Sequence, residues 1–287
     1  MPKSRYVPYL FLLPAIGLLI IFKVYPILIA FKDSLFSPNF IAGQKDKFIG
    51  LGNYISLFTD RTFWHSLYVT LFFNVIINPV QILLAFLLAM FLNKKIKGIN
   101  FFRNIHFIPI AVSLPIACIL WNIMLNPDQG VINSLLTAVG LPQQLFLSSK
   151  HQALWVIMAI STWKGVGYWA IFLLAGLQEI PQSLYEASAI DGAGKWEQFK
   201  NVTFPLMKRP LTFVMVADTV ANFLLFAPMY ILTGGGPEDS TNVLMLESYN
   251  SAFVYSDPGR AAAIVILLLI VILIIIAIQF RLLRSKV

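Results

Sequence analysis

The chain has 287 residues, of which 58% are hydrophobic and 12% charged, about half the share of charge, roughly 25%, that a soluble domain carries. This excludes an ordinary soluble enzyme and points to an integral membrane protein. Lys and Arg number 21 against 13 Asp and Glu, a net charge of +8, so the placement of the basic residues must decide between nucleic-acid binding and membrane topology. The single cysteine, Cys118, excludes an internal disulfide and a metal cluster built on thiolates. With no internal repeat and no low-complexity linker, a single membrane domain over residues 1–287 is expected.

About 20 apolar residues cross the hydrocarbon as a helix. On that length the chain reads as all-α, with six spans near 9–31, 67–92, 102–125, 153–177, 211–232 and 261–280. The first follows Lys3 and Arg5, and no small-x-small cleavage site follows it, so it reads as a retained span and not a signal peptide. Lys23 is expected to snorkel to the far interface beside Tyr25. The second span is interrupted by Asn74, Asn78, Pro79 and Gln81, which predicts a kinked helix with a polar side turned to other helices or to a cavity.

Basic residues give the orientation. With the N-terminus inside, one side of the membrane holds Lys3, Arg5, Lys94, Lys95, Lys97, Arg103, Lys195, Lys200, Lys208, Arg209, Arg281, Arg284 and Lys286, thirteen of the 21. The excess is topological, no nucleic-acid partner is implied, and both termini fall in the cytoplasm.

The largest polar island, 183–205, then lies in the cytoplasm between spans four and five. It reads as two short helices with a turn at Gly192, Ser183 as N-cap and Glu186 completing a capping box. Small residues at Ala187, Ser188, Ala189 and Ala193 leave one face thin enough to enter a groove on another protein; a loop lying on lipid headgroups is the other reading of such a stretch. Gly192-Ala-Gly-Lys195 lacks the spacing of a phosphate loop and follows no strand, so ATP is not expected to bind this chain. His65, His106 and His151 are scattered, and no carboxylate pairs with a nucleophile; neither a catalytic site nor a metal site is expected.

Charge in mid-span is the remaining signal. Lys164 and Asp218 each fall near the middle of a segment, where an ionised group costs several kcal/mol, about 3 on insertion scales. They suit an interhelical ion pair, a solute path, or both. Asp218 and Asn222 share one helical face, as do Lys164 and Tyr168, and Tyr168, Trp163 and Trp169 offer rings that can stack on a sugar, although aromatic residues in spans more often serve packing or anchor at the interface.

Glu186-Ala-Ser188, Gly192 and Val202-Thr-Phe-Pro205 keep the register of the E-A-A-x3-G-x9-I-x-L-P signature. The chain thereby resembles the membrane subunits of binding-protein-dependent ABC importers. Phe48-Ile-Gly-Leu-Gly-Asn-Tyr54, Phe102-Arg103 through Phe107-Ile-Pro109, Ala175-Gly-Leu-Gln-Glu-Ile-Pro181 and Leu232-Thr-Gly-Gly-Gly-Pro237 extend the resemblance to carbohydrate-type permeases, the family of the larger maltose permease subunit and the six-span glycerol-3-phosphate permease. The resemblance implies a multi-pass permease of the bacterial cytoplasmic membrane for a sugar or sugar-like solute. It implies a second homologous permease, two cytoplasmic ATPase subunits that hold ATP and Mg, an extracytoplasmic binding protein, and no cofactor in this chain. Glu186, Ala187, Ser188, Asp191, Gly192 and Pro205 would couple to the ATPase, while Lys164, Gly165, Tyr168, Asp218 and Asn222 would line the solute pathway. Ser188 and Phe204 depart from the signature's Ala and Leu, and the charges of Lys164 and Asp218 admit an acidic or amino sugar. A gradient-driven transporter using Lys164 and Asp218 as a relay is the alternative from another class.

Overall fold

The computed structural model describes residues 7–38, 46–94 and 96–283. Lys3, Arg5, Lys95, Arg284 and Lys286, part of the charge argument, lie outside the described residues. The chain is mostly helical. Helix α1 (Val7–Leu19) runs through a π turn, Ile20–Val24, into α2 (Tyr25–Asp33). A two-residue antiparallel ladder follows, β1 (Phe36–Ser37) on β2 (Lys47–Phe48), with Phe36 opposite Phe48. Then come α3 (Gly52–Thr59), α4 (Arg61–Leu92), α5 (Ile99–Ala111), α6 (Leu114–Met124) and α7 (Val131–Ala138). A 3-10 turn at Phe146–Ser148 leads to α8 (Ala153–Gln178). The polar island holds α9 (Gln182–Ile190), α10 (Lys195–Gln198), a π turn at Phe199–Thr203 and α11 (Phe204–Leu206). Helices α12 (Lys208–Phe223), α13 (Ala227–Thr233), α14 (Leu244–Tyr249) and α15 (Pro258–Leu283) complete the chain.

Among the described residues, four helical stretches, Tyr9–Asp33, Arg61–Leu92, Ala153–Gln178 and Pro258–Leu282, are long and apolar enough to cross a membrane unaided. The third and fifth predicted spans are each broken in two. Helices α5 and α6 meet at 99° and α12 and α13 at 41°, so six spans result only if each bent pair counts as one. A proline follows each break. Val112 and Ser113 are extended, and Pro115 then sits in the first turn of α6, where its missing N–H leaves no bond unmade. Phe226 leaves helical geometry, and Pro228 sits in the first turn of α13 in the same manner. Pro79, in contrast, is accommodated within the helix assigned to α4.

The chain divides into two compact units, Met1–Trp64 with Glu247–Ile270 and His65–Leu246 with Val271–Val287. In the first, Asn53 is buried and donates its side-chain amide to the carbonyls of Ser34 (2.8 Å) and Phe36 (3.0 Å), while the Tyr54 hydroxyl bonds Ser34 Oγ at 2.7 Å. The Phe48 to Tyr54 element therefore fastens α3 to the end of α2. Asp257 caps α15 by accepting from Arg260 N at 2.9 Å, with Pro258 at the first helical position. The Arg260 guanidinium is ion-paired with Asp60 and with Glu247 (3.2 Å) and approaches Ser251 Oγ at 3.3 Å. Burial works to raise the Asp60 pKa, but hydrogen bonds from Arg260 and from the Thr62 backbone, with the guanidinium charge, hold it below the ordinary carboxylate value.

In the second unit the core forms where α4, α8 and α12 meet. Ile82, Phe86 and Leu92 pack with Trp169, Leu173, Leu174 and Leu177 and with Val214. Ala85 and Ala89 on α4 and Ala170 on α8 are fully buried. Small side chains of this kind let membrane helices approach closely where water supplies no driving force between them. Helix α5 also packs on α8, and α6 packs on α13.

Candidate functional site

Spacing along α4 sets the site. Asn74, Asn78 and Gln81 recur at four and three residues, one stripe of the helix, and all are buried. Opposite them, α12 presents Asp218, Thr219 and Asn222. The Asn222 amide nitrogen is the hub: it donates to Asn78 Oδ1 (2.8 Å), Gln81 Oε1 (3.0 Å) and Asp218 Oδ1 (3.1 Å). Asn78 donates in turn to Thr219 Oγ1 (3.3 Å), Gln279 of α15 donates to the same hydroxyl (2.8 Å), and Gln81 Nε2 donates to the carbonyl of Ser161 on α8 (3.2 Å). Such a network in an apolar surrounding stands because its members satisfy one another.

Three of its buried atoms are left over: Asp218 Oδ2, Ser161 Oγ and Gln279 Oε1 make no hydrogen bond, and Asp218 and Ser161 border one cavity of about 430 Å3. Gln81, Lys164, Gly165, Tyr168, Trp169 and Asn222 line it too. An unsatisfied buried polar atom costs about 1–3 kcal/mol, more for a charged group. Its natural remedy here is whatever fills the cavity, water or a hydroxyl-bearing solute.

All five pathway residues expected from the sequence, Lys164, Gly165, Tyr168, Asp218 and Asn222, border this cavity. The reason for a glycine at 165 is steric: a Cβ there would collide with the amide end of Gln81. The Tyr168 and Trp169 rings meet edge to face, with centroids 4.8 Å apart. Between the ion pair and the solute path left open for Lys164 and Asp218, no ion pair forms: the Lys164 ammonium instead donates to the carbonyls of Pro109 (2.9 Å) and Val112 (2.6 Å). Those carbonyls lost their helical partners when α5 broke, and a cation at a helix C-terminus is doubly favoured by hydrogen bonding and by the dipole. Trp163 does not join the other aromatic residues; it packs edge to face on Trp121, 5.5 Å between centroids, and borders a separate apolar groove. Sequence reasoning marked Asn78 and Gln81 as a polar face without placing them in the site. It missed Ser161 and Thr219 altogether, because a lone hydroxyl residue in an apolar helix carries no distinguishing pattern.

Where two short helices are expected, the polar island holds α9 and, after the turn, α10 and α11 joined through a π turn. Gly192 turns between α9 and α10 with φ +84°, a left-handed conformation that a Cβ would strain. The capping differs from expectation. Pro181, not Ser183, precedes the first helical residue, and no side chain caps that end. The cap lies on the second helix, where Glu197 accepts from Gly194 N at 2.7 Å. Tyr185 ties the two halves together by bonding Thr203 Oγ1 at 2.9 Å. Glu186, Ala187, Asp191, Gly192 and Pro205 are exposed, and Ser188 is half-buried with its hydroxyl on the Tyr185 carbonyl. Glu186 bonds no protein group, while Ile190 and Trp196 are 87% and 72% exposed. Among the described residues, no three His, Cys, Asp or Glu side chains gather in a way that would hold a metal ion.

Membrane-length helices around a polar, partly unsatisfied cavity are the architecture of a multi-pass membrane protein with a polar interior. The chain belongs to the family of binding-protein-dependent transport system inner membrane components, whose profile matches residues 79–287. Among curated proteins it is similar to YurN of Bacillus subtilis (strain 168), a probable ABC transporter permease protein, at 38% identity over 91% of this chain and 90% of that one. The sn-glycerol-3-phosphate transport system permease protein UgpA of Agrobacterium fabrum is 34% identical over 99% of this chain and 97% of its own. The trehalose/maltose transport system permease protein MalF of Thermococcus litoralis is 35% identical over 84% and 82%. In fold, the chain matches one from the crystal structure of a bacterial ABC transporter involved in the import of the acidic polysaccharide alginate, with a TM-score of 0.83 at 22% identity, covering 98% of this chain and 96% of that one.

Proposed function

We propose that this chain is the transmembrane permease subunit of an ATP-driven, binding-protein-dependent importer for a sugar or sugar-like solute, working from the bacterial cytoplasmic membrane. The observation that carries the reading is the cavity, whose lining combines free hydrogen-bonding capacity on Asp218 and Ser161 with the aromatic edge of Tyr168 and Trp169. Hydroxyls bond the first, and a sugar ring packs on the second. Relatives named for trehalose, maltose and glycerol 3-phosphate support that class of solute.

In this reading residues 1–287 make one transmembrane domain of six spans, the two bent pairs each counting as one, with both termini cytoplasmic. Loop 183–205 then faces the cytoplasm, and the exposed face of α9, with Glu186, Ala187 and Ser188, docks in a groove of a separate ATPase subunit. Asp191 and Gly192 set the turn, and Pro205 sets the return to the membrane. Two such ATPases, holding ATP and Mg, a second homologous permease and an extracytoplasmic binding protein complete the machine. Closure of the ATPases moves the spans between inward- and outward-facing states. The gradient-driven alternative relied on Lys164 and Asp218 as a relay, and it is weakened because Lys164 is engaged with the α5 carbonyls.

The test is to tag the chain, extract it gently from its native membrane, and assay the co-purifying complex for ATP hydrolysis with and without its binding protein. Stimulated hydrolysis is expected. A chain that purifies alone and inactive, under conditions that keep a known importer whole, contradicts the reading.

A further inference from the structure

A second polar cavity lies at the far ends of the two half-helices α6 and α13. We propose that it is a receiving subsite for a neutral, hydroxyl-rich solute, a carbohydrate unit, lying outside the inner cavity; the proposal rests on the permease reading above. The cavity measures about 330 Å3 and is bordered by Asn122 and Asn126, by Ser148 at the end of the 3-10 turn, by Thr233 at the end of α13, and by Gly236 and Pro237.

Three observations carry the inference. The first is continuity: α6 contributes Leu114 to the inner cavity and Asn122 to this one, eight residues and so about 12 Å apart along the helix. A solute leaving the outer cavity has the same helix to follow inward. The second is preorganisation. One wall is fixed by Gly235 N donating to Met229 O (3.3 Å), Gly236 N to Thr233 O (3.1 Å), Thr241 Oγ1 to Gly236 O (3.0 Å), and the Thr233 and Thr241 hydroxyls to each other (2.7 Å). The opposite wall is fixed by Asn133, which donates to Pro127 O (2.8 Å) and Gln144 O (2.9 Å) and accepts from Gln144 N (2.9 Å). Asn126 Oδ1 accepts from the Asp128 and Gln129 amides at 3.0 and 2.9 Å. Walls held this firmly lose little entropy when a ligand binds.

The third observation is chemical. The Asn122 side-chain amide, the Asn126 amide nitrogen and the Ser148 hydroxyl are exposed and make no hydrogen bond to the protein, so a solute entering this space can exchange water for them without breaking a protein bond. No Lys, Arg, Asp or Glu borders the cavity. Of the charged residues in the flanking loops, Lys150 and Glu238 pair at 2.8 Å, and Asp128 and Asp239 add only negative charge. A site lined by hydrogen-bonding groups, with no cation on its lining, favours neutral hydroxyls over phosphate or carboxylate.

The test uses the assembled importer in lipid nanodiscs and two probes, maltotriose as neutral saccharide and glycerol 3-phosphate as anion, each followed by saturation-transfer NMR. Maltotriose should report contact that persists in Asp218→Asn, where the inner cavity is altered. It should weaken about fivefold in Asn122→Leu, which removes one or two hydrogen bonds, and less in Ser148→Ala. Glycerol 3-phosphate should give no signal that responds to Asn122→Leu. A maltotriose signal indifferent to both outer variants, or an anion signal lost with Asn122, overturns the subsite. Stimulation of ATP hydrolysis by the binding protein, measured on the same wild-type preparation, separates the two failures: if it is present, only the subsite falls, and if it is absent, the permease reading falls and takes the subsite with it.

Discussion

Gly165 is the residue on which the inner cavity is most finely balanced. Its missing Cβ gives room to Gln81, whose amide holds both the Ser161 carbonyl and the Asn222 hub. Gly165→Ala should therefore lower the thermal midpoint of the purified complex by the cost of overpacking, about 1–3 kcal/mol, and Gln81→Ala in the same chain should relieve much of that loss. Additive losses from the two changes would contradict the proposed collision. A second cycle addresses the two mid-span charges. Because Lys164 serves the carbonyls of Pro109 and Val112 and Asp218 serves Asn222, Lys164→Met and Asp218→Asn should destabilise independently, their sum matching the double variant within about 0.5 kcal/mol. A paired lysine and aspartate would couple by more than that. The sequence placed both charges at a polar centre through helical spacing, yet their partners depended on where α5 breaks. No periodicity encodes which carbonyls a long flexible lysine will reach.

At the scale of elements, the helices were legible from apolar length, and the two breaks were legible only in part. Pro115 and Pro228 are visible in the chain, but so are Pro14, Pro79 and Pro109, which stay inside helices. What distinguishes them is where tertiary contacts take up the freed carbonyls, as Lys164 does for α5. The ends of α3 and α15 give a pH-dependent prediction. Asp60 has its pKa lowered in the folded chain, so its pairing with Arg260 contributes stability above the unfolded-state value, about pH 4, and that contribution is lost as pH falls through the lower folded value. Asp60→Asn should thus melt earlier than the wild type at about pH 7 and converge with it as the pH falls through the lowered folded-state value. A constant difference across that range would contradict the ion pair as the cause. In the polar island, the left-handed turn at Gly192 gives a fourth check. Gly192→Asp should leave the chain in the membrane while losing the co-purified ATPase, because the turn that orients α9 is strained by about 1–2 kcal/mol. Unimpaired transport in that variant would contradict docking through α9.

At the scale of the whole molecule, charge asymmetry and apolar length sufficed to place the chain in a membrane, and the spacing of Glu186, Gly192 and Pro205 sufficed to name the family that the comparison then established. The position of the cavity was half legible. The facing stripes of α8 and α12 could be read from i and i+4 pairs, whereas the contribution of Gln81, Ser161 and Thr219 required knowing which helices pack together. The central claim is that solute passes through the cavity bordered by Lys164, Tyr168, Asp218 and Asn222. The most direct measurement is a structure of the assembled importer trapped with its transported solute. The account predicts solute density in this cavity, with a hydroxyl on Asp218 Oδ2 and a ring against Tyr168. Solute held wholly by the partner permease, with this cavity left to water, would contradict it.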